Sequence, residues 1–281
     1  MPNLYQPYLD FALDTARRAG ALIREKTHTA HKIDKKGRIN LVTEVDRASE
    51  ELIFSAIRRA YPDHSILGEE QGKVSGQESS CRWIVDPLDG TTNFASAYPC
   101  YCVSIAFELN GIVVAGVVYD PTRDEAFYAL KGGGAYLNGE PIHVSEQDNL
   151  EDALLVTGFP YDIAANPDIH LGMFSDLIVK ARGLRRDGSA AIDLCYIACG
   201  RFDAYWELGL SPWDVAAGNL IVTEAGGTVS DFFGKEHNLL YRDIVATNGK
   251  MHPAIMQACE KYHEALRRSP YYVKVGERDR Q

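Results

Sequence analysis

Residues 83–94 read WIVDPLDGTTNF, an apolar segment that runs into two carboxylates three residues apart and then into a Gly-Thr-Thr turn. The apolar start predicts a buried strand whose end faces solvent. Asp86 and Asp89 can share cations at such an end. Pro87 stiffens the turn, and the Leu88 carbonyl, directed outward, adds a hard oxygen ligand of the kind that Mg²⁺ prefers. The stretch therefore predicts a metal platform at the end of a buried strand.

Gly90 follows the second carboxylate and would let backbone N–H groups approach a phosphate oxygen closely. An ordinary turn would also explain the five residues from Asp86 to Gly90 taken alone. The full twelve residues favour a functional site over such a turn. A calcium-binding EF-hand is excluded, because the alternating ligands and the closing bidentate Glu are missing.

A third candidate carboxylate lies upstream, in Gly68-Glu69-Glu70, which follows the apolar pair Ile66-Leu67. On its own this segment reads as a solvated acidic turn. Glu69 gains importance only as a third carboxylate beside Asp86.

Three more segments have both a structural and a functional interpretation. Asp214 opens an apolar helix, where an Asp is ordinarily a cap or a favourable partner of the helix dipole. Residues 187–190 form a turn before a helix whose N-terminal amides could hold a phosphate, although capping by Ser189 would explain them as well. Thr43 and Asp46 supply a hydroxyl and a carboxylate, and a capping box would account for both.

Composition limits the function classes. The 281 residues carry 29 Lys and Arg against 39 Asp and Glu, a formal net charge of −10 that disfavours nucleic acids and anionic membranes as partners. Carboxylates that hold divalent cations would still allow an anionic substrate, because the metals invert the local charge. The chain has no apolar leader and no run long enough to span a bilayer. Six cysteines without a CxxC pair indicate free thiols and a cytoplasmic protein.

The periodicity predicts two amphipathic helices first, over residues 9–23 and 45–57, and then an antiparallel meander over residues 102–144 with Asn-Gly turns. Alternating α/β units follow. We expect an N-terminal α+β half over residues 1–145, a C-terminal α/β half over residues 146–266 and a flexible tail over residues 267–281. The C-terminal half is predicted to contain strands at 154–156, 202–206, 228–230 and 244–247, and helices at 167–181, 189–199 and 214–225.

Together these segments resemble the signature segments of the inositol monophosphatase family, in the same order and over residues 5 to 265. The resemblance implies a layered αβαβα sandwich, dependence on two or three Mg²⁺ ions, inhibition by lithium and frequent homodimers. It is carried by residues 86–92, Gly68-Glu69-Glu70, Leu41-Val42-Thr43 with Asp46, and Trp213-Asp214 with Gly226-Gly227.

The same resemblance assigns roles to individual residues. It makes Glu69, Asp86 and the Leu88 carbonyl ligands of one metal, and Asp86, Asp89 and Asp214 ligands of a second, with Glu69 holding a weaker third ion through water. Thr91 and Asp46, together with Glu69, would prepare the attacking water. The substrate contacts that it implies are Asp89, Gly90, Thr91, Ala190, Glu207 and Asp214. Ser189 and the pair Ser211-Pro212 occupy positions where animal members of the family have other residues. This difference affects the expected edge of the substrate-binding site.

The implied reaction is hydrolysis of a small phosphorylated polyol or sugar by in-line attack of a metal-activated water. Inositol 1-phosphate is the first candidate substrate. Fructose 1,6-bisphosphatase, histidinol phosphatase and phosphoadenosine phosphatase activities remain open from the sequence. A regulatory binding protein that keeps the fold is the alternative outside the enzyme class.

Overall fold

The computed structural model describes residues 4–27, 33–35 and 41–271. Within them, α1 and α2 begin the chain and the meander follows, as the periodicity predicts. The α-helices are α1 Gln6–Lys26, α2 Glu44–Ala60, α3 Thr91–Ala95, α4 Pro167–Ile178, α5 Ala190–Ala198, α6 Pro212–Glu224, α7 His252–Glu260 and α8 His263–Arg268. Two 3₁₀ helices span Leu150–Asp152 and Ile163–Ala165.

The strands form three sheets. They are β1 Ile33–Lys35, β2 Leu41–Thr43, β3 His64–Gly68, β4 Gly72–Val74, β5 Glu78–Asp89, β6 Cys102–Leu109, β7 Ile112–Asp120, β8 Glu125–Leu130, β9 Gly134–Leu137, β10 Glu140–Ile142, β11 Leu154–Thr157, β12 Gly183–Arg185, β13 Ala204–Leu208, β14 Thr228–Ser230 and β15 Asp243–Thr247. β1 pairs with β2. The eight-stranded sheet has the order β10-β9-β8-β7-β6-β5-β3-β4, and the five-stranded sheet has the order β12-β11-β13-β15-β14.

Hydrophobic clusters on the sheet faces confirm the predicted αβαβα layering. Trp83 and Val85 pack with α1 and α2 on one face of the eight-stranded sheet, whereas Ile84 packs on the other face with α5 and α6. This alternation is the two-residue period of a strand buried on both faces. A third cluster covers the outer face of the five-stranded sheet beneath α4, α7 and α8. Helices α5 and α6 therefore form the central layer between the two sheets.

One strand of the C-terminal half lies two residues later than the pattern predicts, at Ala204–Leu208 instead of residues 202–206. The backbone N–H of Phe202 donates to the Tyr196 carbonyl at the end of α5, and Gly200 takes a φ of 73° there. Phe202 thus closes a helix instead of entering the sheet. The later register places Glu207 inside β13.

The predicted tail begins too early. Arg267 and Arg268 lie in α8, and Ser269 and Tyr271 are buried, so these residues belong to the folded part. Residues 272–281 lie outside the described residues. Among the residues that the structure describes, no helix is both long and apolar enough to cross a bilayer.

Candidate active site

The end of β5 presents two carboxylates on one face of the sheet. In a regular strand, residues three apart point to opposite faces. Here Asp86 pairs with Ser104 and Asp89 pairs with Cys102, so one extra residue bulges out of β5 between them. Because Ser104 and Cys102 are two residues apart, their partners share a face. That face is the one on which Ile84 and Cys102 meet the central helices.

Asp89 connects β5 to the start of α5. Its Oδ2 accepts hydrogen bonds from Ser189 Oγ at 2.7 Å and from the Ala191 backbone N–H at 2.8 Å. Ser189 makes no side-chain cap on α5, so the capping interpretation of this residue is wrong and its hydroxyl serves the carboxylate. Ala190, a predicted substrate contact, is the buried first residue of the same helix. The bonds to Asp89 therefore join the two predicted halves of the chain at the site.

Asp214 lies in the first turn of α6. Its Oδ2 accepts the backbone N–H of Ser211 at 2.6 Å, so Asp214 takes part in a capping box whose cap residue is Ser211. The cap does not remove the carboxylate from the site, because Asp89 and Glu69 both act on it electrostatically. Asp214 thus has a local structural role and also belongs to the carboxylate group.

Four carboxylates meet at this point. Burial raises the pKa of Asp86 well above its usual range, and repulsion from Glu69, Asp89 and Asp214 raises it further. Burial also raises the pKa of Asp214 well above its usual range, with Asp89 as the next cause. Carboxylates that share a buried site resist ionising together unless positive charge offsets them. The structure therefore brings together all four predicted carboxylate ligands.

The residues fit a hard cation. The predicted donors are carboxylate oxygens and one carbonyl, the set that Mg²⁺ prefers, and cations among them would relieve the repulsion. Across residues 4–27, 33–35 and 41–271, no three or more His, Cys, Asp or Glu side chains are arranged in this structure so that they could hold a metal ion. Two of the carboxylates are instead oriented by backbone N–H groups. Asp86 Oδ1 accepts the Leu88 N–H at 3.0 Å, and Asp214 Oδ2 accepts the Ser211 N–H.

The turn that carries Glu69 is held by a residue that the sequence pattern does not reveal. Glu50, buried on α2, accepts the Glu70 N–H at 3.0 Å through Oε1 and the Gln71 N–H at 3.0 Å through Oε2. Gly68 passes so close that a Cβ there would collide with the Glu50 carboxylate. Glu50 thus fixes the backbone directly after Glu69 and packs against Gly68 directly before it. A single Glu in an amphipathic helix carries no sequence signal for this role.

A second hydrogen-bond system joins α2 to α3. Thr91 Oγ1 donates to Asp46 Oδ1 at 2.8 Å and lies 3.2 Å from the Leu88 carbonyl. The other oxygen of Asp46 accepts the Thr43 N–H at 2.8 Å, which confirms the predicted capping box at the start of α2. Burial raises the pKa of Asp46, and its hydrogen bonds oppose that rise. Asp46 is therefore at once a helix cap and the partner of Thr91.

Gly90 joins β5 to α3 with a φ of 94°. A Cβ at this position would lie 2.8 Å from the Cys100 carbonyl oxygen, so both the conformation and the close approach require glycine. Because Gly90 has no side chain, this residue does not cover the main chain beside Thr91.

Glu207 lies on the side of the site formed by the C-terminal half. Tyr205 OH donates to its Oε2 at 2.6 Å, and burial raises the pKa of Glu207 to about 7. Gly158 packs directly against the same carboxylate. Tyr161, from the loop after Gly158, lies beside Thr92, and burial and then the charges of Glu69 and Asp89 raise its pKa. Sequence reasoning missed Tyr161, because its loop has neither periodicity nor a motif.

Comparisons with known proteins agree with this architecture. The model of the inositol monophosphatase family matches residues 4–264. The Nus factor SuhB of Pseudomonas aeruginosa is 46% identical over 263 residues, covering 92% of this chain and 97% of that protein. The inositol-1-monophosphatase of a Synechocystis species is also 46% identical, over 92% of this chain and 90% of its own length. The solved structure of an inositol monophosphatase from Anabaena superimposes with a TM-score of 0.84 at 43% identity, covering 92% of this chain and 97% of that one.

Proposed function

This chain belongs to the inositol monophosphatase family and is a phosphatase, and from that premise we propose that it hydrolyses inositol 1-phosphate to inositol and phosphate with Mg²⁺. The observation that carries the proposal is the grouping of Glu69, Asp89 and Asp214 around the buried Asp86, on which all three act electrostatically. Carboxylates grouped in this way repel one another unless positive charge offsets them.

We assign the metal ligands as the family resemblance implies. Glu69, Asp86 and the Leu88 carbonyl would hold one ion, and Asp86, Asp89 and Asp214 would hold a second, with Glu69 near a weaker third. When bound, Mg²⁺ supplies positive charge against the phosphate dianion and makes water more acidic. The bulge in β5 supports this assignment, because it puts Asp86 and Asp89 on one face.

Thr91 and Asp46 would handle the proton of the attacking water. Thr91 Oγ1 would donate its hydrogen to Asp46 Oδ1, the nearer of its two acceptors, which would leave the Thr91 oxygen lone pairs free to accept a hydrogen bond from water. As the water attacks, its proton would move to Thr91 Oγ1 while the Thr91 proton moves to Asp46 Oδ1. The raised pKa of Asp46 favours that transfer.

The remaining predicted residues would bind substrate. Gly90 and Thr91 would place main-chain N–H groups toward phosphate oxygens, with Asp89 and Asp214 nearby. Ala190 and Glu207 would face the alcohol portion, and the Glu207 carboxylate would accept a hydrogen bond from a substrate hydroxyl. The bond from Tyr205 supports this role, since it uses one Glu207 oxygen and orients the other.

We extend the proposal to properties that the family resemblance implies: inhibition by millimolar lithium, assembly into a homodimer and a cytoplasmic location. All six cysteines are free thiols, five of them buried, as suits a reducing compartment. A second candidate function is regulatory, because the Pseudomonas aeruginosa relative is named a Nus factor. Such a role would add a protein or nucleic-acid partner to the phosphatase.

A substrate panel tests the choice of alcohol. Phosphate release is measured with Mg²⁺ for inositol 1-phosphate, fructose 1,6-bisphosphate, histidinol phosphate, phosphoadenosine phosphate and p-nitrophenyl phosphate. We expect the highest kcat/KM for inositol 1-phosphate. A higher value for any other physiological ester would transfer the assignment to that ester, and no release from any of them would leave the regulatory function.

A further inference from the structure

The loop over residues 158–166, hereafter the 158–166 loop, connects β11 to α4 and borders the candidate site at two points. Gly158 packs against the Glu207 carboxylate. Tyr161 lies beside Thr92 on α3, close enough to the metal-site carboxylates that they help to raise its pKa. This loop therefore lies against the part of the site to which the alcohol portion of a substrate is assigned.

The loop is held from its outer side by Tyr271. The Tyr271 hydroxyl donates to Asp162 Oδ1 at 2.7 Å, and the side chain is completely buried although it lies beyond the last helix. Its ring packs edge-on against His170 of α4, with ring centroids 5.2 Å apart. Burial lowers the pKa of His170 to about 4, so this neighbour is uncharged at neutral pH.

Tyr271 also reaches the segment that leads to Asp214. A Cβ on Gly209 would lie 2.7 Å from Pro160 Cβ and 3.4 Å from Tyr271 Cε1, so these three residues are in close contact. Gly209 stands between Glu207 and the first turn of α6. Tyr271 thus lies against both chain segments that bring C-terminal residues to the site, the 158–166 loop and residues 208–211.

We propose that Tyr271 is a positioning residue for substrate binding: its hydrogen bond to Asp162 holds the 158–166 loop in the conformation that closes the substrate side of the site. The inference rests on the proposed phosphatase function for its kinetic consequence, but not for its structural one. Tyr271 touches no reacting atom. Its effect would be on the fraction of molecules whose loop is ready to bind.

The matched variants are Tyr271→Phe and Tyr262→Phe. Each removes one tyrosine hydroxyl that donates to an aspartate carboxylate, but Tyr262 donates to Asp176 on α4 at 3.2 Å and not to the loop. If the loop-ready fraction falls to about a third or a tenth, the apparent substrate affinity falls by the same factor. We expect Tyr271→Phe to raise the KM for inositol 1-phosphate about three- to tenfold, with kcat and the Mg²⁺ requirement unchanged. Tyr262→Phe should leave the KM unchanged.

Changes on the loop side give a second test without altering the buried ring. Asp162 is exposed, and Asp162→Ala removes the acceptor while Asp162→Asn keeps an oxygen that can accept the Tyr271 hydroxyl. We expect the alanine variant to reproduce the KM of Tyr271→Phe and the asparagine variant to restore most of the affinity.

Amide hydrogen exchange reports how firmly the loop is held, and the measurement does not depend on enzymatic activity. Peptides that cover residues 158–166 should exchange faster in Tyr271→Phe and Asp162→Ala than in the unmodified protein or Tyr262→Phe. Unchanged exchange together with unchanged KM in Tyr271→Phe and Asp162→Ala would overturn the inference. A protein that hydrolyses no phosphate ester but shows the faster loop exchange would contradict the proposed function and leave the positioning role of Tyr271 supported.

Discussion

Thr91 Oγ1 lies 2.8 Å from Asp46 Oδ1, and this bond joins the first turns of α3 and α2 across 45 residues of sequence. Both partners are buried, and each is also held locally, Asp46 by Thr43 and Thr91 by the turn that Gly90 begins. The pair is therefore preorganised before any substrate arrives, as a proton-accepting pair should be.

Removing the Thr91 hydroxyl tests this pair. Thr91→Ala should lower kcat by about 10²–10⁴, the usual range for general-base assistance, with a smaller effect on substrate affinity. Thr91→Ser keeps the hydroxyl and should retain most of the activity. Steady-state kinetics with inositol 1-phosphate measure both. A change confined to KM would make Thr91 a binding residue.

Glu207 should affect substrate choice more than chemistry. At a pH above the Glu207 pKa of about 7, Glu207→Gln keeps the size but removes the charge, and the loss of a charge-assisted hydrogen bond costs about 1.5–3 kcal/mol, or roughly ten- to a hundredfold in kcat/KM. The loss should appear with inositol 1-phosphate and be much smaller with p-nitrophenyl phosphate, which has no hydroxyl to bind there. Equal losses with both substrates, or weaker Mg²⁺ activation, would show that Glu207 supports the metal site or the fold.

Glu50 should affect metal binding although it is not a predicted ligand. Glu50→Gln replaces one of the two oxygens that hold the Glu70 and Gln71 N–H groups, and losing an outer-shell partner typically weakens metal affinity about 10–100-fold. The Mg²⁺ concentration for half-maximal activity should rise accordingly. Glu51→Gln, on the exposed face of the same helix, is the control. Identical Mg²⁺ curves for the two variants would refute the role of Glu50.

Asp243 should make the unfolding free energy depend on pH. Burial raises its pKa from 3.8 to about 6, and the Phe232 N–H that it accepts opposes the rise only in part. The folded state therefore binds more protons than the unfolded state between these values, so the contribution of Asp243 to stability falls as pH rises from about 4 to 6. The fall is at most about 3 kcal/mol for a shift of about two pKa units.

Asp243→Asn imitates the protonated side chain at every pH and should lack this loss. Urea denaturation at pH 4 and pH 7 compares the two proteins, and groups common to both cancel in the difference. We expect the variant to gain stability relative to the unmodified protein as the pH rises. An equal difference at the two pH values would show that Asp243 ionises normally in the folded protein.

Much of the fold could be predicted because periodicity reports burial directly. The two N-terminal helices and the meander follow from residues that alternate or repeat at helical spacing, whereas the αβαβα layers were implied by the family resemblance. The β5 bulge could not be predicted, because it depends on the pairing of Asp86 and Asp89 with Ser104 and Cys102. The position of β13 was missed because Phe202 is apolar whether it ends a helix or begins a strand.

The candidate carboxylates could also be found from the sequence, but only through the family resemblance, since Glu69 and Asp214 taken alone read as a solvated turn and a helix cap. The residues that position them could not. Glu50 and Tyr271 act through side chains that meet loops distant in sequence, and neither stands in a motif. Ser189 was found, but with the wrong partner, because a serine before a helix has the same appearance whether it caps that helix or binds Asp89.

The most direct measurement is phosphate release from inositol 1-phosphate as Mg²⁺ is added back to chelator-treated protein, for the unmodified chain, Asp86→Asn and Glu70→Gln. We predict no release in excess chelator and full recovery with Mg²⁺ for the unmodified protein. Asp86 is assigned to two ions, so Asp86→Asn should lower the rate of phosphate release more than about a hundredfold, beyond the range for an outer-shell residue. Glu70 is assigned to no ion, so Glu70→Gln should lower the rate little. Full activity in excess chelator, or equal losses in the two variants, would contradict the proposed metal site.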